Sequence, residues 1–268
     1  MAARLVEAPS FAVLKVAGIN RDFATQAALQ AAGAGIVDIV HIRAFTEGDI
    51  DLNKYQGLII PGGFSYGDDI QSGVVLALEM RRMQVELEEF AFYRKHPIVG
   101  ICNGFQALVH SGLLPFGEMT TREHLQATLT TNERGRFESR WITIVAGESK
   151  CPFVPEGQTA TIPVAHGEGN FVATPEALAR IKAQGQVVYR YVDSQGKPTQ
   201  EYPANPNGSI HAIAGICDPI SGTVLGLMPH HEDYIRREHR PNWRRGNGDG
   251  ELDGLEFYKQ VVLYAREM

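Results

Sequence analysis

Three residues that can do chemistry stand out by their spacing: Cys102, within GICNGFQ (100–106), and the pair His230 and Glu232, within GLMPHHE (226–232). Gly100 and Gly104 flank the cysteine two residues on either side. That is the spacing of a nucleophile elbow, where a strand turns sharply into a helix and holds its nucleophile at the mouth of a sheet. The thiolate is the reacting form, and the positive end of a helix dipole favours it. A cysteine nucleophile needs a base, and the base needs an orienting group. In an extended segment residues two apart share a face, so His230 and Glu232 point together at the cysteine while His231 turns away. A carboxylate on the imidazole fixes its tautomer and steadies the imidazolium. Two blander readings compete. Cys102 as a small buried hydrophobe is disfavoured by its flanking glycines. A metal site built from His230, Glu232 and His166 or His239 is disfavoured because no HExxH or CxxC spacing accompanies it, and no metal is expected.

The elements that must position these residues follow from the apolar pattern. Strands are expected at 11–19, 36–42, 55–60 and 98–101, with helices at 22–32 and 72–96 and a helix after Cys102 carrying Phe105, Leu108, Val109 and Leu113 on one face. The strand at 55–60 ends in PGGFSYGDD (61–69), a glycine-rich loop where open α/β sheets place ligand chemistry. Its backbone N–H groups and that of Asn103 are candidates for the two halves of an oxyanion hole. From Phe116 the pattern changes to alternating strands at 136–147 and 158–171, a helix at 175–185 and a strand at 187–193. An Asn-Gly hairpin signal follows at 205–209, then two strands within 209–233, the second ending at His230. The expected fold is α/β: an open, mostly parallel sheet flanked by helices, with an added mixed or antiparallel segment. The chain reads as a single domain over 1–268, with a core at 10–232, a basic, glycine-rich loop at 233–253 and a C-terminal helix at 254–268.

Composition narrows the function class. With 268 residues, 44% of them hydrophobic, the chain can bury a full core. A net charge of −6 argues against nucleic acid or an anionic membrane as partner. The N-terminal MAARLVEAPSF has no long apolar stretch, no run approaches a bilayer span, and Cys102, Cys151 and Cys217 form no disulfide framework, so a cytoplasmic location is expected. No Walker-type phosphate loop is present.

Taken together, GICNGFQ, the upstream PGG and the terminal PHxE resemble the class I, or triad, glutamine amidotransferases. The fuller strings PGGFSYGDD, AHGEGNF (165–171), YPANPNGS (202–209) and GLMPHHE are similar to the branch that serves purine synthesis. The resemblance implies a triad of Cys102, His230 and Glu232 and an oxyanion hole from the backbone of Gly63 and Asn103. It also implies a glutamine site formed by Gln106, His166, Gly167 and Glu168. It further implies that ammonia passes to a separate synthetase subunit, joined by a small accessory subunit, with ATP and Mg bound there and no cofactor in this chain. Arg21 stands where the family commonly has a cysteine, and His231 where it commonly has a proline, whose fixed φ is lost. The basic stretch 236–250 is longer than the family pattern. A cysteine hydrolase or chaperone of the DJ-1 type shares the elbow but does not need a glutamate two residues from its base.

Overall fold

In the computed structural model, which describes residues 7–119, 125–245 and 252–268, the first half of the chain winds as strand and helix in alternation. The order is β1 (Phe11–Lys15), α1 (Asp22–Ala31), β2 (Val37–His41), α2 (Ile42–Thr46), β3 (Gly57–Ile60), α3 (Val74–Met80), α4 (Gln84–Glu88), β4 (Ile98–Ile101) and α5 (Asn103–Ser111). The second half gives β5 (Ala127–Thr130), β6 (Glu138–Ala146), β7 (Thr159–His166), β8 (Asn170–Ala173), α6 (Pro175–Ala183), β9 (Val187–Tyr191), β10 (Ile213–Cys217), β11 (Val224–Leu227) and α7 (Asp253–Glu267).

Among the described residues nine strands form one sheet in the order β2-β1-β3-β4-β11-β10-β9-β6-β7. The five from β2 to β11 are parallel, and the pairings from β11 to β7 are antiparallel. The expected antiparallel segment is therefore a continuation of the main sheet, with β5 and β8 as a separate two-stranded ribbon. The two halves are built from different sequence patterns for a physical reason. Strands β3, β4 and β11 are buried on both faces and read as unbroken apolar runs, whereas β6 and β7 alternate because one face is covered.

Several elements differ from expectation. Strand β1 ends at Lys15, and Ile19 instead makes an isolated bridge to Gly63. The helix expected over 72–96 is broken into α3, a 3₁₀ turn at Arg81–Met83, α4 and a π turn at Glu89–Tyr93. The break comes at Met83 (φ −121°, ψ 34°), which leaves helical geometry while Met80, Met83, Leu87 and Phe90 stay buried. Helix α5 is buried on every side rather than along one face, because it lies between the sheet, α3 and β5; Gly112 ends it, so Leu113 lies beyond. Residues 205–209 form no hairpin: β9 and β10 are antiparallel neighbours joined by a long connection. Strand β11 ends at Leu227 and Pro229, which has no N–H to donate, follows it. The expected C-terminal helix is present as α7, and of the loop expected at 233–253, residues 246–251 lie outside the described residues. So do the first six residues of the N-terminal stretch. No helix among the described residues is long and apolar enough to cross a membrane.

Candidate active site

Cys102 occupies the turn between β4 and α5 with φ 51° and ψ −103°, a conformation that costs a non-glycine residue on the order of 1–3 kcal/mol. Neighbouring bonds hold it there: its N–H donates to Leu227 O at 2.8 Å, and its carbonyl accepts from Gln106 N at 3.0 Å. The flanking glycines serve close packing rather than turn conformation. A Cβ at Gly104 would stand 2.0 Å from Ile60 O, and one at Gly100 2.7 Å from the Gly104 backbone, so larger residues would push α5 off the sheet. The thiol is thus set at the N-terminus of a nine-residue helix, where negative charge is favoured. It is 5% exposed and donates to Ala165 O at 3.8 Å.

Because β4 and β11 pair in parallel with Ile101 opposite Leu227, the segment after β11 arrives beside the cysteine. His230 Nδ1 lies 2.7 Å from Glu232 Oε1, both side chains buried, and His230 N–H donates to Pro163 O at 2.9 Å. Here the expected extended segment is corrected. His231–Asp233 is a 3₁₀ turn, and it is the turn that folds Glu232 back onto His230. Burial alone would drive the His230 imidazole toward neutrality, but the Glu232 carboxylate and then Cys102 hold its pKa well above the usual value. Glu232, despite its own burial, is held below the usual carboxylate range by His230. Nδ1 is committed to Glu232 and Nε2 has no hydrogen-bond partner, which leaves Nε2 open toward Cys102.

His231 is buried as completely and behaves oppositely. Its ring packs 4.2 Å from the Phe257 ring and 5.9 Å from that of Tyr189, and burial lowers its pKa to about 4. Its ring is set in the core, against Phe257 of α7 and Tyr189 of β9.

The PGG loop lies against the His230 ring. A Cβ at Gly62 would meet His230 Cε1 at 2.7 Å, and Gly63 has φ +149° with Ile19 Cα only 2.8 Å from where its Cβ would stand. The Asn103 side chain stitches this loop to α5: its Oδ1 accepts from Ser65 N, and its Nδ2 donates to Asp68 Oδ1 at 3.0 Å and to Gln106 Oε1 at 3.3 Å. Gln106 Nε2 in turn donates to the Glu168 carbonyl, and Glu168 Oε2 accepts from Ser72 N at 3.2 Å. Gln106 and Glu168 are therefore brought together beside Cys102, along with Asp68 and Ser72, which the sequence reading did not single out. The signal for Asp68 was the acidic end of PGGFSYGDD; Ser72 lies beyond that string and carried none. Burial, helped by Glu168, raises the Asp68 pKa against hydrogen bonds from Ser72 and Asn103.

His166 and Gly167 are placed differently. The His166 ring is 3% exposed, with Nε2 3.1 Å from Asn207 Nδ2, and burial followed by the charge of His230 lowers its pKa to about 3. Asn207 also donates to Tyr191 OH and accepts from Ser209, so the NPNGS segment is a buried polar knot under the AHGEGNF loop. The Gly167 carbonyl accepts from Asn132 N at 2.9 Å. Among the described residues no three His, Cys, Asp or Glu side chains converge as metal ligands. A buried thiol, an imidazole fixed by a carboxylate and free helix-terminal N–H groups suit acyl transfer through a covalent thioester.

Comparison with known proteins points the same way. A family model for the CobB/CobQ-like glutamine amidotransferase domain matches residues 8–265. The chain is 39% identical over 257 residues to the phosphoribosylformylglycinamidine synthase subunit PurQ of Dehalococcoides mccartyi, covering 96% of this chain and 97% of that one. It is 39% identical over 268 residues to the PurQ subunit of a Methanococcus maripaludis strain, with the same coverage of 96% and 97%. A chain in the solved structure of PurLQS from Thermotoga maritima superposes with a TM-score of 0.71 at 29% identity, over 96% of this chain and 99% of that one. Likeness of this extent, running through every motif-bearing segment, makes the chain a member of the CobB/CobQ-like glutamine amidotransferase family, within the PurQ branch that forms the glutaminase subunit of phosphoribosylformylglycinamidine synthase.

Proposed function

We propose that Cys102, His230 and Glu232 hydrolyse the glutamine side-chain amide in this subunit. The Cys102 thiolate attacks the amide carbon, and the oxyanion that forms is held by the backbone N–H groups of Gly63 and Asn103. His230 gives its proton to the departing nitrogen, so ammonia leaves and a γ-glutamyl thioester remains. His230, now neutral, takes a proton from water, and hydrolysis releases glutamate. Glu232 keeps the ring oriented and balances its charge. Gln106 and Glu168 line the substrate side, and His166 and Gly167 support the loop that carries Glu168. The observation that carries this reading is the 2.7 Å bond from His230 to Glu232 beside a cysteine held in a strained elbow.

Ammonia made here is consumed by a synthetase subunit that binds ATP and Mg, assembled with a small accessory subunit; this chain supplies no nucleotide loop and no cofactor of its own. The exposed Arg236, Arg237, Arg240, Arg244 and Arg245 give an acidic chain one basic segment, suited to an acidic partner surface. The deciding experiment feeds the assembled complex either glutamine or an ammonium salt. Cys102→Ala should lose synthesis from glutamine and keep synthesis from ammonium; loss of both would show that the cysteine is not confined to the glutaminase step.

A further inference from the structure

Arg21 is the residue that departs from the family pattern in the loop before α1. It stands at the N-cap of α1, where a guanidinium, which only donates, cannot cap the helix N–H groups. Its guanidinium Nη1 instead reaches Asp233 Oδ1 at 3.0 Å, a bond between residues 212 positions apart in the chain. On the way its stem passes the imidazole of the base: the point where a Gly62 Cβ would stand is 3.5 Å from Arg21 Cγ and 2.7 Å from His230 Cε1. Asp233 is adjacent to Glu232, in the same 3₁₀ turn that folds the glutamate onto His230. Two carboxylates thus follow one another in a mostly buried turn, and only one of them is bonded to the base.

Building on the triad reading above, we infer that Arg21 is a positioning residue for it: by pinning Asp233 and cancelling its charge, it leaves Glu232 as the carboxylate to which the His230 imidazole answers. The remaining surroundings are consistent with this division. Around the pair, Cys102 comes from the β4 turn, neutral His166 from β7, Tyr258 from α7, and His231 and His239 from the segment itself. Apart from His230 itself, which acts on both, Arg21 is the cation whose charge bears on both carboxylates, lowering the pKa of Glu232 and opposing the burial and Glu232 repulsion that raise that of Asp233.

The signs lead to a compensation test in the assembled complex, reading kcat for glutamine-dependent synthesis against pH. On the acid limb His230 must be neutral to activate the hydrolytic water. Arg21→Ala uncovers the Asp233 charge, favours the imidazolium, and should move that limb to higher pH by roughly half a unit, a screened effect because the pair is partly exposed. Asp233→Asn removes the charge itself and should move the limb to lower pH by a similar amount. The double variant should return close to the parent, Arg21→Lys should keep the parent profile, and KM for glutamine should change less than about twofold in all of them because neither side chain lines the substrate side. A parent-like limb in Arg21→Ala, or a double variant that keeps either single displacement, overturns the inference. If Arg21→Ala does not fold, Asp233→Asn decides alone: a limb moved to lower pH supports the inference and an unmoved one overturns it. Cys102→Ala separates this from the underlying reading, since glutamine-dependent synthesis surviving that change would remove the triad itself, whatever Arg21 does.

Discussion

Strands β4 and β11 lie side by side, parallel and in register, and each ends by presenting a reactive side chain, but by opposite means. After β4 a single residue carries the turn: Cys102 takes a left-handed φ of 51°, and close-packed glycines let α5 begin at once. After β11 no residue from His230 to Asp233 takes a left-handed φ; the chain closes a 3₁₀ turn in which Glu232 meets His230, His231 packs on aromatic rings of the core and Asp233 meets Arg21. The first device depends on local sequence, whereas the second depends on what α7, β7 and the α1 loop pack against it. The difference shows in the paired histidines, adjacent and equally buried, of which one is held charged by a carboxylate and the other neutral by aromatic rings.

That contrast can be tested from its strongest consequence downward. Cys102→Ala should reduce glutamine-dependent activity by on the order of 10⁴-fold or more, and His230→Ala by nearly as much, with the double variant no worse because the two act as a unit. Steady-state rates of the three variants in the assembled complex check this. Glu232→Gln should cost less, roughly ten- to a thousandfold in kcat, since it orients the ring without carrying the proton. A loss equal to that of His230→Ala would mean that the charge of Glu232, and not only its place in the turn, is required, because glutamine keeps the shape and loses the charge. His231→Ala should leave the per-molecule rate of the folded protein within about threefold yet lower stability by about 2–4 kcal/mol, as expected for a buried ring removed from packing, and denaturant unfolding reads it.

The smallest effect concerns acid. A histidine kept neutral in the fold, with a pKa of about 4 against 6.5 when unfolded, takes up its proton more readily in the unfolded chain. Its contribution is therefore fully present above about pH 6.5 and is lost as the pH falls toward 4. His231→Phe should flatten part of that loss in thermal melts between those values, leaving the similar contribution of His166 in place. An unchanged slope would place His231 in a wetter setting than its contacts with Phe257 and Tyr189 describe.

Much of this was legible along the chain because its signals are local. Unbroken apolar runs mark β1, β3, β4 and β11, since strands covered on both faces carry no polar alternation. The glycines around Cys102 mark the elbow, since close approach of helix to sheet leaves no room for a Cβ. Strand β5 was missed because the alternation of Ala127–Thr130 runs for only four residues, too short to stand out without its pairing to Asn170–Ala173. The Asn-Gly of 205–209 was misread as a hairpin because its polar groups serve a distant histidine rather than a local turn.

The sequence by itself singled out Cys102, His230 and Glu232 and the alternation of strand and helix, because each rests on residue types and spacings whose physical consequences reach no further than a turn or two. Tertiary structure alone decided that His231 is a core residue, that β6, β7, β9 and β10 extend the parallel sheet, and that Arg21 meets Asp233 across 212 residues. The reason is common to all three. Burial and ion pairing depend on which segments lie opposite one another, and register between distant strands is fixed by the packing of the whole core rather than by any stretch of the chain.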